Sequence, residues 1–154
     1  MILFTAAHHS REALSLSMIF NIFLINLKSL VHNIERSNQS KTVGFLNSSS
    51  DSFWDFNNIL FVPAVNVDGV EKIDNGFHSL SSWDNKMVRK NLRPTGTTES
   101  CNQGVDLNRN YDISWDNKND PETTYECSEV YRGSKPFSEP ETQAIKNMVE
   151  NVYP

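Results

Sequence analysis

At 154 residues the chain has the length of one domain. Apolar residues make up 38% and charged residues 21%, the balance of a soluble globular protein rather than of a disordered or collagen-like chain. The net charge of -5, with the arginines scattered, gives no basis for nucleic-acid binding; an anionic ligand would have to meet positive charge supplied locally. Met1 is followed at once by apolar residues without a basic leader, so no targeting signal is read.

Ile2-Leu3-Phe4 reads as a buried strand and the stretch from Ala13 as a helix. Between them stands Ala-Ala-His-His-Ser-Arg-Glu, which puts His9 and Glu12 at a strand-to-helix turn, three positions apart and therefore on one side of it. An imidazole and a carboxylate placed together suit a zinc ion; the same spacing also suits a plain capping turn, with Glu12 favoured by the helix dipole. The run Ala13 to Val31 is long and apolar. Ser15, Ser17, Asn21, Asn26, Lys28 and Ser29 interrupt it, so no membrane span is predicted but a helix buried on most faces against a sheet. Asn33 to Ser52 reads as a Ser/Asn-rich surface loop with sequons at Asn38 and Asn47.

Asn58 to Asn66 reads as a second strand, covered on both faces, with Pro63 awkward inside it and Asn66-Val67-Asp68-Gly69 as its closing turn. Val70 to Pro136 shows no convincing periodicity and reads as one long loop, a length expected only where loops build a site or belong to something larger. Order returns at Ser138-Glu139-Pro140-Glu141, read as a capping box. A helix is predicted to follow to about Val152, with Ala144, Ile145, Met148, Val149 and Val152 on its buried face. Two strands and two helices cannot bury a self-sufficient core, so an incomplete domain is expected.

Within the long loop, Met87 to Lys90 reads M-V-R-K, and Cys101 to Asp112 reads C-N-Q-G-V-D-L-N-R-N-Y-D. Cys127 to Thr142 reads C-S-E-V-Y-R-G-S-K-P-F-S-E-P-E-T. With A-H-H-S-R-E and V-N-V-D-G before them, these motifs in this order resemble the zinc metallocarboxypeptidases of the carboxypeptidase A and B type, from about Ile2 to Val152.

The resemblance implies an α/β fold class. Residues 1–154 would be part of a mixed-sheet α/β/α peptidase domain whose first strands and C-terminal half lie outside the chain. It implies one Zn2+ held by His9 and Glu12, with a third histidine beyond residue 154, and Asp106 as the carboxylate that orients His9 from behind. Asn108 and Arg109 would clamp the terminal carboxylate of a peptide or protein substrate, Arg89 would polarise the scissile carbonyl, and Arg11 would line the substrate subsites. Outside the resemblance, Asp106 reads as a turn-stabilising residue, Asn108 and Arg109 as a surface turn, and Arg11 as a helix-start arginine. His8 is expected to be structural, since adjacent side chains diverge, and Lys90 and Arg93 to be solvated. His32 and His78 lack the flanks of a ligand.

The Cys101 and Cys127 flanks match a disulfide pair of the family; the bridge would remove about 3 kcal/mol of unfolded-state entropy. The same resemblance implies a secreted or lumenal monomer. The function expected is zinc-dependent hydrolysis of C-terminal residues. The alternative is a truncated, non-catalytic module that keeps a carboxylate-binding surface.

Overall fold

The computed structural model describes residues 2–40, 59–78, 87–94, 103–117 and 119–152. Strand β1 is Ile2–Thr5 and strand β2 is Ile59–Val62. They pair in parallel, Ile2 opposite Ile59 through Thr5 opposite Val62, an arrangement that needs a crossover, and helix α1 (Ala13–Ser40) lies between them in sequence. Phe4 stacks on Phe61 at 5.3 Å between ring centres, and Phe23 of α1 meets Phe61 edge-on at 5.4 Å. With the buried Ile19, these rings dock α1 on the sheet. The chain is therefore α/β, with the described sheet wholly parallel.

Four readings of these elements need correction. Both strands are half-buried rather than buried. Strand β2 ends at Val62, so Pro63 lies outside it and removes no ladder hydrogen bond. Helix α1 runs to Ser40, through part of the expected surface loop, and it is not buried on most faces: Phe20, Leu24, Leu27, Val31 and Ile34 are all exposed. Their spacing of three and four makes one stripe on the helix. No helix among the described residues is long and apolar enough to cross a membrane. The sequon at Asn47 lies outside the described residues.

Asn66 to Gly69 is not a closing turn but the start of helix α2 (Val67–His78). The Asn66 side chain accepts from the Gly69 N–H at 3.0 Å, the bond of a helix N-cap. Gly69 and Gly76 are the buried residues of α2, and such a glycine-bearing helix carries a weak propensity signal. The stretch from Val70 to Pro136 also holds two 3-10 turns, Leu107–Arg109 and Pro121–Thr124, so it is not uniformly irregular.

Helix α3 spans Pro140–Val152. The capping box does not form: Ser138 donates to the Glu139 carboxylate at 2.6 Å, while Asn110 accepts from the Glu139 N–H and from the Thr142 hydroxyl at 2.7 Å. A side chain brought from the first 3-10 turn thus replaces the local cap. On the expected buried face, Ile145 and Met148 are half-buried and Ala144 and Val149 are exposed; the buried residue of the first turn is Thr142.

The interior is strongly polar. Beside Val105, Leu107 and Val65, the buried residues include His9, Asn66, Lys90, Asn91, Asp106, Asn110, Glu139 and Thr142. Among the described residues no buried side-chain nitrogen or oxygen lacks a partner, which is the condition for such a core to be stable. Lys90 is the sharpest departure from expectation. It is 1% exposed, and its ammonium donates to the carbonyls of Glu126 and Ser128, each at 2.8 Å. Burial pushes its pKa down to about 8, against the opposing pull of Glu129, Asp106 and Glu126. Arg93, also expected to be solvated, pairs with the buried Glu139.

Backbone bonds tie these pieces together: Arg11 N–H to Val88 O at 3.0 Å, Asn91 N–H to Val105 O at 3.0 Å, and Asp106 N–H to Tyr131 O at 2.8 Å. Gly104 sits under this seam at φ +100, where an added Cβ would lie 2.0 Å from the Asn91 carbonyl oxygen.

Asn66 also donates to the Lys90 carbonyl at 3.0 Å, with longer bonds to Arg89 and His8 carbonyls. Replacing Asn66 by Ala removes the α2 cap and strands those carbonyls together. Denaturant unfolding of Asn66→Ala is expected to show a loss of about 2–4 kcal/mol, a cap plus an unsatisfied buried group. A loss under about 0.5 kcal/mol would mean that neither role is real.

Candidate active site

His9 and Glu12 come together as the spacing predicts. Directly after β1 the chain turns at Ala7, whose φ of +50 is rare for a residue with a Cβ. The turn is held by Ala7 N–H donating to the Ser15 hydroxyl and by the Ala7 carbonyl accepting from Asn66 N–H. His9 is buried beyond it. Its Nδ1 lies 2.9 Å from Glu12 Oε1, and its Nε2 lies 2.9 Å from Asp106 Oδ1.

Asp106 is fully buried and has three partners. Its Oδ1 meets His9 and accepts the Asn108 N–H at 2.9 Å. Its Oδ2 accepts from Arg89 Nε at 3.1 Å and Nη2 at 2.7 Å. Arg89 Nη1 is 4.0 Å from Glu12 Oε1. His9 and Arg89, both remote in sequence from Asp106, are thereby gathered around one carboxylate, with Glu12 beside them.

Asn108 and Arg109 occupy the first 3-10 turn, which Asp106 caps through the Asn108 N–H. Both are exposed and line, with Tyr111, Trp115 and Arg132, a cleft of about 230 Å³. The Arg109 guanidinium meets the Asn108 carbonyl at 3.1 Å and has no carboxylate partner among the described residues. Arg11 stands apart from this group in an exposed ion pair with Glu129 at 3.1 Å. Cys101 lies outside the described residues, and among those described no cysteine is free.

Several residues escaped the sequence reading. Tyr111 places its hydroxyl 2.9 Å from His8 Nε2, and its only sequence signal is its position at the end of N-R-N-Y. Glu129 is visible only as the partner of Arg11, and Asn110 only as the residue that binds Arg132, Lys135 and Ser138 together.

A metal would be held by donors the chain already presents. Two ligands at ~2.0–2.2 Å from one tetrahedral zinc stand about 3.3–3.6 Å apart, so a small outward shift of Glu12 from its 2.9 Å contact would admit the ion. His9 Nε2 is occupied by a carboxylate, as a ligating histidine requires, and Nδ1 is left on the Glu12 side. The pair fits zinc. Among the described residues no third His, Cys, Asp or Glu joins it.

This arrangement belongs to a known family. The zinc carboxypeptidase family model matches residues 1–154, and the chain belongs to that family. Its relatives include the mast cell carboxypeptidase A of Mus musculus, 40% identical over 95 residues, which cover 61% of this chain and 20% of that protein. Bovine thrombin-activatable fibrinolysis inhibitor, solved in complex with tick carboxypeptidase inhibitor, superposes with a TM-score of 0.60 at 23% identity, over 98% of this chain and 41% of that one. Carboxypeptidase A from Helicoverpa armigera gives a TM-score of 0.57 at 24% identity, over 97% of this chain and 30% of that one. The solved structures establish the shared fold. The chain thus spans from about a fifth to two fifths of the length of these proteins.

The charges at the site set a pH dependence. The Asp106 hydrogen bond raises the His9 pKa above the ordinary histidine value near 6.5, outweighing burial. Burial pushes the Asp106 carboxyl up, but the bonds from His9 and Arg89 outweigh it and hold the carboxyl below its ordinary value. For the metal-free chain, the His9 contribution to stability is complete below about pH 6.5 and lost as pH rises through the raised folded value. The Asp106 contribution is complete above about pH 4 and lost as pH falls through the lowered folded value. Urea unfolding across pH should therefore show a maximum between these limits, and Asp106→Asn should flatten it. Identical pH profiles for the two proteins would refute the assignment.

Proposed function

We propose that the chain forms part of the site of a zinc-dependent carboxypeptidase, which removes C-terminal residues from peptides or proteins. One observation carries the reading: His9 Nδ1 and Glu12 Oε1 stand 2.9 Å apart while the far ring nitrogen of His9 is bound to buried Asp106. When bound, zinc would supply Lewis acidity for water and for the scissile carbonyl. The chain's own residues do the rest of what is proposed here. Asp106 fixes the His9 tautomer. Arg89, anchored through Nε and Nη2, keeps Nη1 for a substrate carbonyl oxygen. Asn108 and Arg109 take the terminal carboxylate, and Arg11 borders the approach. The third ligand and the general-base carboxylate are assigned to residues outside those described, since among the described residues no third ligand joins His9 and Glu12.

The Cys101–Cys127 bridge, a monomeric state and an extracellular or lumenal location belong to the same proposal. Thiol titration of the denatured, unreduced chain should find no free cysteine; two reactive thiols would remove the bridge from it.

A second reading is a non-catalytic module that binds peptide C-termini through Asn108 and Arg109, favoured by the lack of a third metal-binding side chain beside His9 and Glu12 among the described residues. Residues 1–154, assayed with zinc on peptides of varied C-terminal residue, are expected to release no amino acid. Chelator-sensitive release that His9→Ala abolishes would contradict this. In the same samples zinc should bind weakly, and His9→Ala or Glu12→Ala should weaken it at least tenfold further; affinity unchanged by both would refute the ligand pair.

A further inference from the structure

Two fully buried carboxylates stand near the site, and the function proposed above uses only Asp106. The other, Glu139, is bonded to both segments that meet at Asp106. Its Oε2 accepts from Asn91 Nδ2 at 2.8 Å, and its Oε1 accepts from Arg93 and from the Ser138 hydroxyl at 2.6 Å. Ser138 in turn accepts from Asn110 Nδ2 at 2.8 Å. Asn91 is joined to Val105 twice: its N–H donates to the Val105 carbonyl at 3.0 Å, and its Oδ1 accepts the Val105 N–H at 2.8 Å. These bonds close a ring, from Val105 along the chain to Asn110, through Ser138 and Glu139 to Asn91, and back to Val105. We propose that Glu139 is a positioning residue that closes this ring and so fixes the segment bearing Arg89 against the turn bearing Asn108 and Arg109. Its meaning for a substrate rests on the reading of Arg89, Asn108 and Arg109 as carbonyl- and carboxylate-binding groups.

Only a carboxylate satisfies the ring, because donors arrive at both oxygens. A glutamine would present one oxygen and one NH2 group. With the oxygen toward Ser138 and Arg93, the NH2 would face the NH2 of Asn91; turned round, it would face the Arg93 guanidinium. Asn91 cannot flip to relieve the first clash, because the Val105 N–H fixes its oxygen. The Asn91 amide would instead be drawn toward the Glu141 carboxylate, 3.4 Å away, and Val105 with it. Stability alone does not call for this charge. The Arg93 side chain is half-exposed and water would solvate it, while burying a carboxylate costs free energy that an amide would not. The geometry that the carboxylate imposes accounts for its place.

The test uses metal-free protein and two readouts. Hydrogen exchange by NMR follows the Arg89 Nε–H, which Asp106 binds, and the Val105 N–H. Titration with N-acetyl-glycyl-phenylalanine and with its C-terminal amide gives the preference for a free carboxylate. In Glu139→Gln, with its fold verified by circular dichroism, both protons should exchange about tenfold faster and the carboxylate preference should fall at least about threefold. Ser138→Ala opens the ring on its other side and should also speed Arg89 exchange, which decides the matter if Glu139→Gln does not fold. Arg93→Gln removes the charge partner, leaves the ring closed and should change neither readout. Unchanged Arg89 exchange in folded Glu139→Gln or in Ser138→Ala, or an equal change in Arg93→Gln, would overturn the proposal. If the unaltered chain shows no preference for the carboxylate, the clamp reading fails. Arg89 exchange then still decides whether Glu139 positions the segment.

Discussion

The buried Asp106 carboxylate binds His9 on one oxygen and Arg89 on the other, while it also receives the Asn108 N–H. A carboxylate out of water is costly unless its lone pairs are filled and its charge is balanced. Here the fork of Arg89 balances the charge, and the four N–H donors, two on each oxygen, fill the lone pairs. The same contacts that make the burial tolerable also place the candidate metal ligand, the candidate carbonyl-polarising arginine and the candidate carboxylate clamp around one point. Moving any of them would leave Asp106 short of a partner, so the site is rigid for an electrostatic reason rather than an apolar one.

The surroundings extend that logic. Lys90, next to Arg89, holds the carbonyls on either side of Cys127, and Glu129 two residues further on holds Arg11. Asn66 binds carbonyls on both sides of the seam and begins α2 with the same side chain. Asn110 begins α3 from a distance. Each side chain joins segments far apart in sequence through bonds that are short and directional, so a small number of apolar residues suffices to shield them. The apolar stripe of α1 stands outside this network and adds little to it.

What the sequence made legible divides along the same line. The His9–Glu12 pair was readable because a spacing of three fixes geometry locally, and the Asp106 partnership because the resemblance covers its flanks. Strand and helix starts near the motifs were readable from apolar runs. Helix α2 was not, because its two glycines and its polar outer face hide the spacing of Val70, Ile73 and Phe77. The fate of Lys90 was not readable either: a lysine reads as solvated until the carbonyls that receive it are brought in from more than 30 residues away. The capping box failed for a related reason, since Ser138 and Asn110 compete for one helix start and the remote residue wins. Tertiary hydrogen bonds override local signals wherever the interior is polar.

The central claim is that Asp106 prepares His9 for a metal. It is tested most directly by the zinc affinity of Asp106→Asn, measured by competition with a chromophoric chelator in protein whose fold is verified by circular dichroism. The account predicts a fall of about 10–100-fold, the effect of losing a carboxylate behind a ligating histidine. An affinity equal to that of the unaltered chain would contradict it.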